Sequence, residues 1–307
     1  MVADIDNATY YSSRPYRFVA AVALAVRHKQ LNTFPVLHCK RERMLPQPPA
    51  DASFARFQAA ARQPTVRTPD AVGTFCEPWI TRGAVTILDQ LLEPRHRGLE
   101  WSSGSSTVWA LPRLASLHTV EHDGRWLTNV TSLISTQYPA DIAAQWKSAH
   151  SPCVELKKGA CGGWAHAADG ANDYSAYVSL PRRAFLPELQ RKLGDAFSGW
   201  DYVLVDGRSR VKCVAEAVRG PGFLAPHGLL VLDNADRNNY LPAMYAVPRG
   251  WLKVSFSYRW DTTVAWMRCE GHDPSCARAR RELQEVRARY SRQPERSGRD
   301  DIRFVLG

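Results

Sequence analysis

The chain has 307 residues, 45% of them hydrophobic, so it can bury a sizeable core, and its formal net charge is +10. The positive excess lies in the flanks. Residues 1–67 carry ten Lys and Arg against four Asp and Glu, residues 276–307 carry nine against five, and residues 68–275 carry equal numbers. Basic flanks can contact an acidic partner, but charge runs are most often solvated. The charge pattern therefore gives no reason to predict a nucleic-acid acceptor.

One apolar run, residues 18–26, needs to be weighed as a membrane or targeting segment. It has about half the length that crosses a bilayer, and no clear small-residue cleavage site follows it. We therefore predict no transmembrane segment and no signal peptide. The expected location is soluble, in the cytoplasm or an organelle.

Seven cysteines are an odd number in a chain too long to need disulfide stapling, so reduced thiols are expected. No Cys-x-x-Cys pair occurs. The spacings Cys153/Cys161 and Cys269/Cys276 are wider than those of the usual zinc knuckle. The sequence therefore predicts no structural metal cluster.

The first 75 residues are interpreted as a helical N-terminal extension. Helical patterns at 16–29 and 52–62 are separated by the proline-rich residues 45–50, which no helix can cross. Residues 276–307 are interpreted as a basic C-terminal helix and tail. Because that helix, about 278–292, has no broad apolar stripe, we expect it to pack loosely or to extend from the body.

Between these flanks, residues 76–275 alternate short apolar strands with helix-length segments, after a first helix that begins near residue 80. This alternation is typical of a parallel sheet with crossover helices. Strands are predicted at 98–101, 118–121, 153–156, 202–206 and 228–233, and helices at 105–115 and 125–135.

Two further strands, 251–258 and 262–268, are too close in sequence for a crossover helix and must pair antiparallel. The predicted fold is thus α/β, with a doubly wound, mostly parallel seven-stranded sheet that ends in an antiparallel hairpin.

Four of the predicted strands end in polar residues: Glu100 with a serine-rich turn, Glu121, Asp206, and Asp233 with Asn234. In an open parallel sheet, ligands bind beyond the carboxyl ends of the strands. Small residues in a strand-to-helix turn let a ligand approach the backbone, and the next helix offers free N–H groups. Glu121 has the spacing at which a second-strand carboxylate binds ribose hydroxyls.

These features are carried by four segments, Glu-Trp-Ser-Ser-Gly-Ser-Ser-Thr from residue 100, Val-Glu-His-Asp from 120, Asp-Tyr-Val-Leu-Val-Asp-Gly-Arg from 201 and Gly-Leu-Leu-Val-Leu-Asp-Asn from 228. Together they resemble a class I S-adenosylmethionine-dependent methyltransferase with a Rossmann-like domain, over residues 79–270. The resemblance implies that S-adenosylmethionine binds here and places specific residues around it. The implied cofactor-binding residues are Glu100, Ser102, Gly104, Ser106, Glu121 for ribose, and His122 or Asp123 beside the adenosine.

Serine replaces the family's glycine at position 102, where a side chain adopts positive φ less readily. A catalytically silent, methyltransferase-like binding module is therefore the first alternative. A nicotinamide or nucleotide-sugar enzyme is the second, although only one of the three glycines of a dinucleotide turn is present.

The predicted activity moves a methyl group to an oxygen or nitrogen of a small-molecule or saccharide-like acceptor. The candidate catalytic residues are Asp206, Arg208 and Asp233. The oxygens of Asp206, Asp233 and Asn234 also form a candidate Mg²⁺ site, similar to that of cation-dependent O-methyltransferases. Two alternatives stay open: the acids only cap and brace the strand ends, and Arg208 and Arg210 either bind an anionic substrate or neutralise the acids. Tyr174 and Tyr177 are candidates to line the acceptor pocket.

Overall fold

The structure is a computed structural model, and it describes residues 12–31, 78, 80–155, 172–258 and 261–291. The predicted helix at 52–62 and the proline-rich connection lie outside these residues.

The helices and strands follow one another in the alternation that the sequence predicts. The strands are β1 Arg97–Trp101, β2 Ser116–Glu121, β3 Trp146–His150, β4 Val154–Glu155, β5 Asn172–Asp173, β6 Trp200–Val205, β7 Leu224–Leu232, β8 Leu252–Tyr258 and β9 Asp261–Met267. The α-helices are α1 Arg14–Leu31, α2 Arg82–Leu91, α3 Ser105–Ala110, α4 Gly124–Gln137, α5 Ala140–Ala143, α6 Ser175–Leu180, α7 Leu186–Leu193, α8 Arg210–Val218, α9 Leu241–Ala246 and α10 Pro274–Ser291.

Seven strands form one sheet in the order β3-β2-β1-β6-β7-β9-β8. The first five of these are parallel, and β9 lies antiparallel between β7 and β8. The predicted seven-stranded, mostly parallel sheet with a terminal antiparallel hairpin is confirmed. Its strand order reverses between β1 and β6, so the carboxyl ends of β1, β2, β6 and β7 meet at one edge.

One predicted strand is wrong. The third strand of the sheet is β3, Trp146–His150, and not residues 153–156, of which Val154 and Glu155 pair antiparallel with β5 in a separate two-stranded sheet. The strand β3 lies at the edge of the sheet and is only half-buried. It therefore lacks the continuous apolar run by which buried parallel strands are recognised.

Both faces of the sheet are covered. In β7, Leu229 and Val231 belong to one buried cluster, and Leu230 and Leu232 belong to the other. Alternate residues of a strand point to opposite faces, which explains why every position from 229 to 232 is apolar.

The first and last helices pack on the body of the fold. Phe18 and Val22 of α1 are completely buried, in the same cluster as Cys276, Ala279 and Leu283 of α10. The helix predicted at 16–29 is confirmed as α1. The expectation that the last helix packs loosely is wrong, because a narrow stripe of small and apolar residues is enough to seat it. The division of the chain at residues 75 and 276 stays a prediction.

The expectation of reduced thiols is also wrong. Cys269 and Cys276 form a disulfide with their Cα atoms 5.9 Å apart, Cys153 is disulfide-bonded as well, and Cys213 is a free, buried cysteine. Among the described residues, no helix combines the length and apolar character needed to span a membrane.

Candidate functional site

The turn after β1 has an unusual backbone conformation. Ser102 has φ of 103°, a region that favours glycine, and its N–H donates to the carbonyl of Val120 at 2.8 Å. This is the position at which the resemblance places glycine. The chain therefore keeps the backbone of a glycine turn although it carries serine, at a cost of about 1–3 kcal/mol in strain.

Thr107 ties this turn to the carboxyl end of β1. The N–H of Gly104 donates to Thr107 Oγ1 at 2.9 Å, and Thr107 Oγ1 donates to Glu100 Oε2 at 2.8 Å. Glu100 and Thr107 are both completely buried, and Ser106 is buried beside them in the first turn of α3. Thr107 was not among the predicted site residues, since a threonine inside a short helix gives no sequence signal.

Glu100 is held as a neutral acid. Burial raises the pKa of its carboxyl to about 8, against the lowering effect of the hydrogen bond from Thr107. Its second oxygen, Oε1, is buried and makes no hydrogen bond of normal geometry with the described residues, although the hydroxyls of Ser106 and Thr119 interact with the carboxyl and lower its pKa. A buried oxygen whose hydrogen bonding is incomplete is costly and leaves room for a ligand donor.

Glu121, at the end of β2, is surrounded by donors of this chain. Its Oε2 accepts from the N–H and the hydroxyl of Ser103 at 2.8 and 3.0 Å. Its Oε1 accepts from the N–H groups of His122 and Asp123 at 2.8 and 3.0 Å. His122 Nδ1 also lies 2.7 Å from Oε1. Burial opposes ionisation, but these bonds outweigh it and lower the pKa of Glu121, so an ionised carboxylate braces the turn.

An aromatic trio of His122, Tyr174 and Tyr177 lies next to Glu121, with ring centroids 6.0 to 6.1 Å apart in edge-on arrangements. His122 Nε2 is 3.5 Å from Arg208 Nε, which connects the ends of β2 and β6. A Cβ atom on Gly207 would come within 2.1 Å of the Tyr177 hydroxyl. Glycine at position 207 therefore allows the tyrosine to pack against the strand end.

Arg210 lies between the acids that follow β6 and β7. Its Nη2 donates to the carbonyl of Asp206 at 2.7 Å and lies 3.0 Å from Asp206 Oδ1. Its Nη1 donates to the carbonyl of Asp233 at 2.5 Å and to Asn234 Oδ1 at 3.2 Å, and lies 3.9 Å from Asp233 Oδ2. Of the two roles left open for Arg210, the structure supports neutralisation of the strand-end acids.

The three predicted metal ligands do not fit a divalent cation in this arrangement, because the guanidinium of Arg210 fills the space between Asp206, Asp233 and Asn234. A planar guanidinium donates in two directions at once, and it remains charged at every physiological pH. The magnesium site is therefore not supported.

The two acids differ in their environments. Burial, and then the nearby Asp206, raise the pKa of Asp233 to about 8, and Thr263 donates to its Oδ1 at 2.8 Å. The side chain of Asp233 is 3% exposed, whereas that of Asp206 is 26% exposed. Asp206 is therefore the carboxylate that a bound molecule can reach.

No protein-family model and no curated protein matches the chain. The chain is similar to several solved structures. A methyltransferase-like protein from Silicibacter pomeroyi has 17% identity over 67% of this chain and 96% of its own, with a TM-score of 0.40. An rRNA methylase from Streptococcus thermophilus has 5% identity, over 60% of this chain and 92% of its own, with a TM-score of 0.39. Fibrillarin from Aeropyrum pernix, solved with S-adenosyl-L-methionine, has 12% identity, over 57% and 67%, with a TM-score of 0.36.

The strand order is that of the Rossmann-like methyltransferase fold. The inserted antiparallel strand β9 distinguishes this sheet from a dinucleotide-binding sheet of the usual kind, which has only parallel strands. Likenesses with TM-scores below 0.5 carry no information about individual residues.

Proposed function

We propose that the protein transfers the methyl group of S-adenosylmethionine to an oxygen or nitrogen of an acceptor. The observation that carries the proposal is the pair of buried carboxylates, Glu100 and Glu121, on either side of the positive-φ turn at Ser102. They lie at the carboxyl ends of adjacent parallel strands, beside the point where strand order reverses. That edge is where open α/β sheets bind ligands.

The residues at this edge fit the methyl donor in part. Glu100 Oε1 would accept a hydrogen bond from the donor's ammonium group, which would favour ionisation of a carboxyl whose pKa is about 8. The backbone of Ser102 and Gly104 and the buried Ser106 would line the same end. Bound there, S-adenosylmethionine supplies an electrophilic methyl group on a sulfonium.

The ribose contact predicted for Glu121 needs a rearrangement. A ribose hydroxyl would reach this carboxylate by replacing either the Ser103 hydroxyl or the His122 ring. His122 would then lie beside the adenosine, as the resemblance implies. The backbone bonds of Glu121 to residues 103, 122 and 123 would stay in place and keep the turn braced.

Asp206 is the proposed acceptor-binding acid. It is partly exposed, and Arg210 fixes its Oδ1, so it can orient an acceptor O–H or N–H and accept the proton. Asp233, which is mostly protonated near neutral pH, would hold Arg210 and Thr263 in place. Arg208, beside His122, would contact an anionic or hydroxylated acceptor. Most of the rate would come from alignment and desolvation rather than covalent catalysis.

The proposed acceptor is a small molecule or a saccharide-like compound, because the partly exposed ring of His122 lies beside Arg208 and packs on the buried rings of Tyr174 and Tyr177. No magnesium is part of the proposal, since Arg210 holds the acids together. The basic flanks lie largely outside the described residues, and a contact between them and an acidic partner stays a prediction.

Calorimetry with S-adenosylmethionine and its demethylated product tests the donor site. We expect binding by the wild type and binding at least about tenfold weaker in Glu100→Gln, which loses the ionisable acceptor. Glu188→Gln, at an exposed surface ion pair, is the matched control and should bind as the wild type does. If neither compound binds to the wild type, the proposal fails.

Methyl transfer is then measured with labelled donor and a panel of phenols, sugars and RNA. Asp206→Asn should abolish transfer to whichever acceptor responds, whereas Asp195→Asn, at an exposed acid away from the site, should not. Labelling of RNA alone would overturn the small-molecule acceptor but not the activity.

The saturation of Glu121 by this chain's own donors favours one alternative, a silent methyltransferase-like binding module. That module would bind neither donor nor product, or would bind the donor without transferring its methyl group to any member of the panel. A nicotinamide or nucleotide-sugar enzyme would instead be stabilised by NAD(H) or a nucleotide sugar in a thermal-shift panel.

A further inference from the structure

A second cluster of ligand-type side chains lies at the opposite edge of the sheet from the candidate site. The ligand atoms of His227, Asp273 and Cys276 all lie within 4.8 Å of one another. Cys269, bonded to Cys276, follows the end of β9, and His227 belongs to β7. One sulfur, one imidazole and one carboxylate thus meet at the junction of β7, β9 and α10, and the disulfide brings the sulfur of Cys269 next to them.

The two carboxylate oxygens of Asp273 have different surroundings, since one is bonded to this chain's own helix start and the other faces His227. Its Oδ1 accepts from the N–H and the hydroxyl of Ser275 at 2.8 and 2.6 Å, which caps the start of α10. Its Oδ2 faces His227 Nε2 in a close polar contact. Hydrogen bonds of this kind fix the direction of a carboxylate before any metal arrives.

The backbone brings His227 to the same point. Its N–H donates to the carbonyl of Arg268 at 3.1 Å, one residue before Cys269, and its φ of 58° departs from the extended strand. The register of β7 on β9 therefore places the imidazole beside the loop that joins the two cysteines.

We propose that, when the Cys269–Cys276 disulfide is reduced, these four side chains bind one Zn²⁺ ion. Two thiolates, a neutral imidazole and a carboxylate are a tetrahedral zinc ligand set. The site is independent of the proposed methyl transfer. It links strand β9 to helix α10 in either state, by the disulfide when oxidised and by the metal when reduced.

The conversion is balanced by a dithiol reductant. One thiolate of the dithiol attacks a sulfur of the disulfide, and its second thiol resolves the mixed disulfide. The dithiol is oxidised to a disulfide, and Cys269 and Cys276 receive two electrons and two protons. Zn²⁺ then displaces the two thiol protons as it binds.

The surroundings favour such a site. Cys269 and Cys276 are 5% and 1% exposed, while the side chains of His227 and Asp273 are 28% and 19% exposed. Cys269 also lines a cavity of about 370 Å³, with Arg268, Glu270 and Gly271. Both cysteines are thus shielded from bulk water, and the cavity brings small molecules next to Cys269. His227 lies 46 residues from Asp273, so the spacing of the cysteines alone does not reveal the cluster.

The test uses the full-length protein, oxidised or reduced with a dithiol and desalted without oxygen. Each form is titrated with Co²⁺ and then with Zn²⁺. We expect the reduced protein to bind one Co²⁺ with the visible spectrum of a tetrahedral thiolate site and to lose that spectrum when Zn²⁺ is added. The oxidised protein should give neither signal. Zn²⁺ should raise the Tm of the reduced protein only.

Variants distinguish metal binding at this site from metal binding by other thiols that the reductant releases. His227→Ala and Asp273→Asn should each weaken Zn²⁺ binding at least about tenfold. His272→Ala is the matched control, because His272 is an exposed histidine of the same loop, and Cys213→Ser controls for a buried thiol elsewhere. Both should bind as the wild type does.

Three results would overturn the proposal. The first is that the reduced wild type binds no metal at one equivalent. The second is that His227→Ala binds the metal as tightly as the wild type does, and the third is that His272→Ala abolishes binding. Circular dichroism of the reduced protein checks that it is folded. If reduction unfolds the protein and Zn²⁺ does not restore the fold, the proposal is also wrong.

Discussion

Arg210, the first residue of α8, and Asp233, directly after β7, meet in the interior, where Nη1 of the arginine donates to the aspartate's backbone carbonyl at 2.5 Å and lies 3.9 Å from its Oδ2. The same guanidinium lies 3.0 Å from Asp206. One buried cation thus joins the ends of β6 and β7. The stability of this edge of the sheet depends on it.

Arg210→Met should therefore destabilise the protein by about 3 kcal/mol or more, because it leaves the Asp206 carboxylate without its counter-charge and the carbonyls of Asp206 and Asp233 without their buried donor. Chemical denaturation measures the loss. The control is Arg219→Met, whose side chain is 67% exposed and pairs with Glu216 at the surface. It should cost less than about 1 kcal/mol. Equal losses in the two variants would show that Arg210 does not brace the site.

Because Arg210 occupies the space between the acids, Mg²⁺ should neither shift the Tm of the wild type nor change its methyl-transfer rate, and a chelator should have no effect. Removal of the arginine exposes the oxygens of Asp206, Asp233 and Asn234, so Arg210→Met should gain a Tm increase with Mg²⁺. If Mg²⁺ increased the methyl-transfer rate of the wild type, the conclusion that Arg210 excludes the metal from these acids would be wrong.

Ser102→Gly should stabilise the protein by about 1 kcal/mol, because glycine adopts φ of 103° without strain. The bond from Ser102 Oγ to Glu121, at 3.4 Å, is too long to offset this. Ser105→Gly is the matched control. It places glycine in the first turn of a helix, where it should be neutral or destabilising. Thermal denaturation of both variants shows whether each substitution raises or lowers the stability. A loss of stability in Ser102→Gly would show that the backbone at residue 102 is not strained.

The stability of the fold should fall as the pH rises from 7 to 8. Burial raises the folded-state pKa of Glu100 to about 8 from an ordinary value of 4.5, so its contribution is fully present below pH 4.5 and is lost as the pH rises through 8. His96 and His118 have pKa values lowered to about 4, and their opposing effect is complete once the pH exceeds about 7.

Glu100→Gln cannot ionise, so it should remove about 1 kcal/mol of the loss between pH 7 and 8. The remaining fall in stability between pH 7 and 8 should come from Asp233, whose pKa is also about 8. Urea denaturation at the two pH values checks this. The exposed-site variant Glu188→Gln should keep the wild-type slope, and an unchanged slope in Glu100→Gln would be inconsistent with a protonated buried acid.

Gly207→Ala should cost about 1–3 kcal/mol, because its Cβ would overlap the Tyr177 hydroxyl and press on the carbonyl of Trp101 at 2.9 Å. Gly104→Ala should be better tolerated, since its Cβ would meet only Trp126, at 3.8 Å. Adding Tyr177→Phe to Gly207→Ala should recover part of the loss by removing the clashing hydroxyl. Denaturation of the three variants gives the comparison, and no recovery in the double variant would place the clash elsewhere.

Much of the fold can be predicted from the sequence, because the strands and helices of the sheet follow from local patterns of apolar residues. Alternation of apolar strands with helix-length segments predicts the parallel sheet, and the short connection between 258 and 261 forces the terminal hairpin. The acids at the strand ends follow from the same pattern, since parallel strands bring their carboxyl ends to one edge. The edge strand β3 was missed because it is only half-buried and lacks an apolar run.

Tertiary contacts decided what those acids do. Residue spacing does not reveal that Arg210 turns inward, since this depends on the left-handed backbone at Ser209 and on two strand ends meeting around the guanidinium. Nor does it reveal that Glu121 is saturated by its own turn, or that His227 of β7 meets Asp273 at the start of α10. The sequence determines which residues stand at each strand end. Only the folded chain determines which groups those residues meet, because the partners lie far apart along the chain and burial makes each pairing strong.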